Sequence, residues 1–341
     1  MTLKPKVSFI IPTLNAAEVL NACLKSIRCQ NYPKNNIDII IIDGGSTDNT
    51  LIIAKKYQAK IINNPLKTAE AGKAIGVKNA SGQYIALIDS DNILPDKNWL
   101  NKMIHPLSKD NSLIGSEPWK FTYRKDGGFI ERYSALLGAN DPYTYTSGVY
   151  DRYNYLTSKW TGLNLNIVNY PNYQKVKLEP GLLLPTIGAN GTIFRTEFLK
   201  INLNSDYLFD IDIISQVVNV SNKPLYFAKV KVGIIHTFCE SSIKKFIRKQ
   251  KRRLTDYYNF LPYRQYNWSA NNKTGIAKFS IYTLLIVPSI FDSIRGYIKK
   301  PDPAWFFHPL ACIISFFLYA SITLRFLLGL NPSLNRLNWK Q

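Results

Sequence analysis

Short β-branched runs alternate with stretches of helical periodicity through the first part of the chain, and few folds accommodate that rhythm. Val7 to Ile11 is a compact apolar run closed by Pro12, the pattern of a strand buried on both faces of a parallel sheet. From Ala16 to Arg28 the apolar residues Val19, Leu20, Cys23, Leu24 and Ile27 recur at helical spacing, with Asn15 placed to cap the start by accepting a backbone N–H bond. The alternation continues through a strand at Asp38 to Ile42, a turn at Asp43-Gly44-Gly45-Ser46, a helix from Thr47 to Tyr57 and a strand at Ala59 to Ile62. A third helix is expected over Ala69 to Asn79, ending near Ser81-Gly82, before a buried strand at Tyr84 to Ile88. This β-α-β-α-β-α-β order, with right-handed crossovers, predicts an α/β fold with a doubly wound, mostly parallel sheet.

In such sheets the ligand crevice lies beyond the carboxyl ends of the strands. Three of those ends carry polar residues: Thr13 and Asn15, then Asp43 with Ser46 and Asp48, then Asp89 and Asp91. Taken singly, each cluster also suits a turn or a helix cap, which favour Asp, Asn, Gly and Ser without any ligand. Several carboxylates converging on one edge suit a divalent cation that holds a phosphorylated ligand. Asp89-Ser90-Asp91 follows a buried strand directly, so its two acids can reach a metal and a nucleotide at once. No G-x-G-x-x-G turn follows the first strand and no G-x-x-x-x-G-K-[ST] occurs, which argues against dinucleotide oxidoreductases and P-loop NTPases.

Composition narrows the setting. At 341 residues and 46% hydrophobic, the chain can bury a sizeable core in one large or two medium domains. Its 43 Lys plus Arg against 23 Asp plus Glu give a net charge of +20, a pull toward polyanions. No nucleic-acid-binding motif accompanies that charge, so the expected partners are phosphorylated ligands and anionic membrane rather than nucleic acid. Cys23, Cys29, Cys239 and Cys312 show no CxxC or metal-ligand spacing and read as reduced thiols. The apolar run at the amino terminus is shorter than a signal-peptide core.

The stretches VSFIIPTLNAAEVLNACLKSI, IIIDGGSTDNT and GKAIGVKNASGQYIALIDSDN resemble the family 2 glycosyltransferases with the GT-A fold, closely over residues 6–100 and more loosely to about residue 255. The resemblance implies that the first half binds a nucleotide-sugar donor, a UDP- or GDP-sugar, and the next half shapes the acceptor site, with Mn2+ or Mg2+ as cofactor. On it, Pro12, Thr13 and Asn15 line the nucleotide pocket and Asp43 receives the base edge. Asp89 lies near the ribose and the metal, Ser90 joins the donor contacts, and Asp91 ligates the metal. Lys73 falls where the family often places a basic residue near the donor; a solvated helix lysine is the competing reading.

Past residue 100 the segment GANDPYTYTSGVYDRYNYLTSKWTG is rich in rigid aromatics, which either contact sugar or lipid or pack an ordinary loop. In PTIGANGTIFRTEFL, Gly188 and Asn190 resemble the family's glycine-containing segment beside the donor sugar, where glycine permits close backbone approach. In YLFDIDIISQVV, Asp210 and Asp212 open a helix, a position the helix dipole favours for acids. The family's Glu-Asp-x-Asp-Leu aligns with Phe209 to Ile213, so Phe209 replaces the leading Glu and Asp210 takes the place of the catalytic base. His236, after the apolar Val230 to Ile235, takes the place of a metal-ligating histidine, with a structural role competing. Attack by an acceptor hydroxyl on the anomeric carbon needs a base as the bond forms, and a single in-line displacement inverts that centre.

The remainder turns basic, then apolar. A helix is expected from Ser241, with Phe246, Ile247 and Leu254 anchoring one face and the charges of Lys244 to Arg253 spread over the rest, a pattern that suits an anionic membrane. Arg252 and Arg253 also suit a diphosphate. Ile276 to Phe291, broken by Pro288, is short for a membrane span, and Trp305 to Leu330 suffices only if Arg325 snorkels or pairs. If both crossed, the link carrying Arg295, Lys299 and Lys300 would lie outside, against the positive-inside tendency. A hairpin in or along the cytoplasmic leaflet is therefore preferred to two spans or a soluble helical lid. The expected division is residues 1–100 for the nucleotide sugar, 101–260 for the acceptor and 261–341 for membrane-associated helices. The expected reaction is metal-dependent, inverting sugar transfer to a hydroxyl of a glycan or lipid-linked glycan at the cytoplasmic membrane face. A polyprenyl-phosphate acceptor and a non-catalytic nucleotide-sugar-binding scaffold are the alternatives.

Overall fold

Strands and helices alternate as expected at the start of the computed structural model, which describes residues 4–264 and 272–330. They are β1 (Val7–Thr13), α1 (Ala17–Arg28), β2 (Ile37–Asp43), α2 (Thr50–Lys56), β3 (Lys60–Asn63), α3 (Ala69–Asn79) and β4 (Tyr84–Leu87). The four strands are parallel in the order β3-β2-β1-β4. Val7, Phe9, Ile10 and Ile11 have no solvent exposure, as a strand covered on both faces requires. Pro12 does not end β1 but stays paired with Ile42. The Ile10 carbonyl accepts the Ile88 N–H, so Pro12, two residues on, faces the same side. There β4 has already stopped, and the missing proline N–H costs no ladder bond. Gly76 lets α3 lie close on the sheet, because a Cβ there would come within 2.4 Å of the Ile10 side chain.

The rest of the sheet is mixed. β5 (Asn92–Ile93) and α4 (Trp99–Lys109) lead to β6 (Leu113–Phe121), and a hairpin of β7 (Asn166–Asn169) and β8 (Tyr173–Leu178) precedes β9 (Thr192–Arg195). α7 (Thr196–Asn202) and α8 (Asp210–Ser221) then lead to β10 (Leu225–His236). β9 is antiparallel to both β4 and β6, β10 runs parallel to β6, and the hairpin adds antiparallel strands beyond β10. Glu117 on β6 and Lys229 on β10 form an ion pair of 2.6 Å with neither side chain exposed. Among the described residues, this sheet and its helices form one compact unit of residues 4–122 and 164–236.

A second unit joins residues 123–163 to the carboxyl-terminal helices. It holds α5 (Phe129–Leu137), α6 (Pro142–Ser147), α9 (Ile243–Asn259), α10 (Lys273–Leu284), α11 (Val287–Lys299) and α12 (His308–Leu327). Its core includes Tyr133, Leu136, Tyr150, Phe246 and Trp305. Tyr150 and Trp160 are buried, so these members of the aromatic insert pack rather than offer themselves to a ligand. Ser242 caps α9 by accepting the Lys245 N–H at 3.1 Å. The buried ridge of α9 is Phe246, Gln250 and Thr255; Ile247, expected on the anchoring face, is exposed. Arg253 pairs with Asp141 at 3.3 Å. α10 and α11 meet at 85°, with Pro288 in the first turn of α11, and Pro303–Leu327 is long and apolar enough to cross a membrane by length and composition. None of the four cysteines forms a disulfide.

Candidate functional site

The carboxyl ends of β1 and β2 are tied to each other by side chains. Asp43 closes β2 and accepts the hydroxyls of Thr13 at 3.0 Å and Ser46 at 2.5 Å, together with the N–H groups of Gly45 and Ser46 at 2.9 and 2.7 Å. Asn15, at φ +50°, bridges to the same loop: its N–H donates to Ser46 Oγ and its Oδ1 accepts the Thr47 N–H, both at 2.8 Å. Asn15 therefore does not cap α1. Asp48, in the loop after β2, and Thr50, at the start of α2, do so instead, accepting the N–H groups of Ala17 at 3.1 Å and Ala16 at 2.8 Å. The local spacing around Asn15 carried no sign of a cap supplied from so far along the chain.

Beyond β4 the chain turns through Asp89-Ser90-Asp91 into β5. Asn92, fully buried, pins the turn: its Oδ1 accepts the Asp89 N–H and its Nδ2 donates to Asn190 Oδ1, both at 3.1 Å. Sequence reading missed Asn92, although an amide following two acids in a tight turn is a signal for side-chain bonding to the turn backbone. Antiparallel pairing of β5 with β10 sets Asn92 opposite His236, and His236 Nε2 lies 3.3 Å from Asp91 Oδ1. One donor atom from each of Asp89, Asp91 and His236 lies within 4.8 Å of the other two. Burial raises the Asp89 carboxyl above the usual range and Asp91 and Asp210 add to the rise, while Lys73 and His236 oppose it. Two carboxylates and an imidazole form a donor set that could hold a divalent cation, and a cation there would relieve the crowding of acids around Asp89.

α3 carries Lys73 into this site. Its side chain is 6% exposed, so the solvated reading fails, and Nζ lies 2.5 Å from Asp210 Oδ1. Burial pulls the ammonium pKa down, but Asp210, Glu70 and Asp89 more than offset this and hold Lys73 above its ordinary value. Asp210 is the first residue of α8, preceded by Phe209 at the cap position, which makes no side-chain cap bond. A Cβ on Gly188 would approach Asp210 Oδ2 to 3.1 Å, so the glycine keeps that oxygen clear. Asp212 is buried within the same first turn. Pro12 and Ser90 are each half-buried at their strand ends. Arg253, a candidate diphosphate contact, is engaged by Asp141 and Gln250 in the second unit.

Comparison with known proteins adds a family match and a shared fold. Residues 8–132 match the family described as Glycosyl transferase family 2. Glycosyltransferase AglE of Haloferax volcanii is 31% identical over 139 residues, 39% of this chain and 45% of AglE, so the match spans less than half of that relative. A Methanococcus voltae protein, dolichyl N-acetyl-alpha-D-glucosaminyl phosphate 3-beta-D-2,3-diacetamido-2,3-dideoxy-beta-D-glucuronosyltransferase, is 25% identical over 332 residues, 91% of this chain and 95% of its own. The mannosyltransferase PcManGT from Pyrobaculum calidifontis, solved in complex with GDP-Man and Mn2+, shares the fold with a TM-score of 0.51 at 12% identity, covering 94% of this chain and 88% of that one.

Proposed function

Residues 8–132 match the family 2 glycosyltransferases and the chain has the GT-A fold, and from that premise we propose that it is a metal-dependent, inverting enzyme of that family. It moves a sugar from a UDP- or GDP-sugar to a hydroxyl of a glycan or lipid-linked glycan at the cytoplasmic membrane face. The observation that carries this reading is the convergence of Asp89, Asp91 and His236 beside the Lys73–Asp210 pair. The Methanococcus relative, named for a dolichyl-linked sugar phosphate, supports a lipid-linked acceptor.

Asp91 and His236 would hold the cation with Asp89, and the cation supplies charge neutralisation for the departing diphosphate. Thr13, Asn15 and Asp43, with Pro12, face the nucleoside, and Ser90 and Asn190 border the donor. Asp210 takes the acceptor's proton through Oδ2, the oxygen that Gly188 leaves uncovered. The acceptor oxygen then bonds to the anomeric carbon, and the bond to the nucleoside diphosphate breaks on the opposite face, its electron pair leaving with the phosphate. Lys73, bonded to Asp210 Oδ1, turns to the donor diphosphate as that anion arrives, which frees the carboxylate for proton transfer.

Purified protein given a panel of UDP- and GDP-sugars with Mn2+ or Mg2+ is expected to consume one donor, to lose activity on chelation and to give a product of inverted anomeric configuration by NMR. Asp210→Asn is expected to lower kcat about 10²- to 10⁴-fold, and undiminished turnover in that variant would remove Asp210 from the role of base. A polyprenyl-phosphate acceptor needs no base; the ion pair that occupies Asp210 Oδ1 favours this second reading, which predicts an essential Lys73 and a dispensable Asp210.

A further inference from the structure

Helix α11 is built inside out. Its buried positions are the small and polar Ser289, Asp292, Ser293 and Gly296. Val287, Ile290, Phe291, Ile294 and Ile298 are instead exposed, by 70%, 45%, 59%, 47% and 73%. These five recur at the spacing by which a helix in water marks the face that it hides. Leu284, Leu285 and Ile286, at the bend just before α11, are exposed too, as are Leu310, Phe317, Leu324 and Leu327 on α12. The unit's buried ionisable pair is well bonded: Asp292 accepts the hydroxyls of Tyr145 at 2.7 Å and Tyr282 at 2.8 Å, and His308 bonds Tyr133 at 2.7 Å and Tyr282 at 2.9 Å. With Asp292 and His308 bonded inward, this unit turns apolar side chains of α11, the bend before it and α12 outward, which marks a contact face.

We propose that this face rests in one leaflet of an anionic bilayer, with α11 and the α10–α11 bend immersed at interfacial depth and none of α10 to α12 crossing. The inference rests on the membrane-face part of the reading above and is independent of its chemistry. Charge selects the occupant. Between residues 273 and 330 the acids are Asp292 and Asp302, both buried, whereas Lys273, Lys278, Arg295, Lys299 and Arg325 are exposed. A second copy presenting the same face would meet like charge, while anionic headgroups attract each nearby basic residue.

Contacts along α12 oppose crossing. His308 is buried at its start, Tyr319 donates to Asp141 at 2.5 Å, and Tyr258 of α9 bonds Thr323 at 2.8 Å and stacks on Phe326. Asp141 in turn pairs with Arg253 on the polybasic α9. Passing α12 through a bilayer would draw these charges toward hydrocarbon, where ionised side chains are costly. The 85° bend prevents α10 and α11 from acting as one straight span.

The test mixes full-length protein with preformed vesicles of phosphatidylcholine, with and without phosphatidylglycerol, and reads flotation. Wild type is expected to float with the anionic vesicles, and Val287→Glu/Ile298→Glu to bind at least about tenfold more weakly, since each substitution replaces an immersed aliphatic with a charge. An unchanged thermal midpoint would show that the variant is folded. In a Cys29→Ser background, Lys299→Cys and Leu328→Cys are each expected to react with an impermeant maleimide added outside the vesicles. Absence of flotation, undiminished binding by the glutamate variant, or shielding of one cysteine would each overturn the proposal. So would a dimer abolished by the glutamates in a protein that ignores vesicles. Donor turnover on a water-soluble acceptor, followed in the same preparations, separates the two readings: its loss with flotation intact refutes the chemistry and leaves the surface standing.

Discussion

Lys73 is one of 43 basic residues in the chain, and burial against Asp210 sets it apart. A fixed ammonium this close to the carboxylate must choose between that partner and an incoming diphosphate. Removing the competing charge should therefore strengthen nucleotide binding. Asp210→Asn is expected to tighten the Kd of UDP or GDP by about fivefold, the factor set by about 1 kcal/mol of released ion-pair free energy. Lys73→Gln is expected to weaken it, and the double variant to lose the gain, all by titration calorimetry. Equal affinity of Asp210→Asn and wild type would rule out the exchange. Asp210 was legible from its place in a family-like motif. Its pairing with Lys73 was not, because the two residues lie far apart in the chain and meet only where α3 and α8 approach the same strand ends.

At the scale of elements, the first four strands and three helices followed from periodicity because each is specified by its own residues. Their connections were less visible. The cap of α1 comes from Asp48, whose carboxyl is pushed up by partial burial but held below the usual range by the bonds from Thr50 and Ala17. Asp48→Ala is expected to lower stability by about 0.5–2 kcal/mol in denaturant titrations. A carboxyl with a depressed folded-state pKa stabilises above its unfolded value, near 3.9, and loses that contribution as pH falls through the folded value. The difference between variant and wild type should therefore shrink in acid below about pH 4. In the mixed half of the sheet, Lys229→Met would strand the buried Glu117 carboxylate and is expected to cost about 3–5 kcal/mol, with Glu117→Gln/Lys229→Met recovering much of the loss. A single variant no less stable than the double would show that the pair is not what holds β6 to β10.

For the whole molecule, the net charge of +20 resolves into different uses. Lys73 and Lys229 are consumed in buried pairs, while Lys273, Lys278, Arg295, Lys299 and Arg325 of the helical unit remain exposed around an apolar surface. Only the second group should respond to ionic strength, so vesicle binding is expected to weaken from low salt to about 1 M, where the Debye length falls to about 3 Å. Salt-independent flotation would leave the apolar contact as the sole attachment. The sequence alone determined the parallel half of the sheet, the placing of acids at its strand ends and the basic-then-apolar order of the tail, because periodicity and strand-end chemistry are local. Only the tertiary structure decided that His236 joins Asp91 through the pairing of β5 with β10. It alone decided that residues 123–163 pack with the tail and that α11 hides its polar face. A helical stripe records that one face is apolar; which medium covers that face depends on what the rest of the chain packs against.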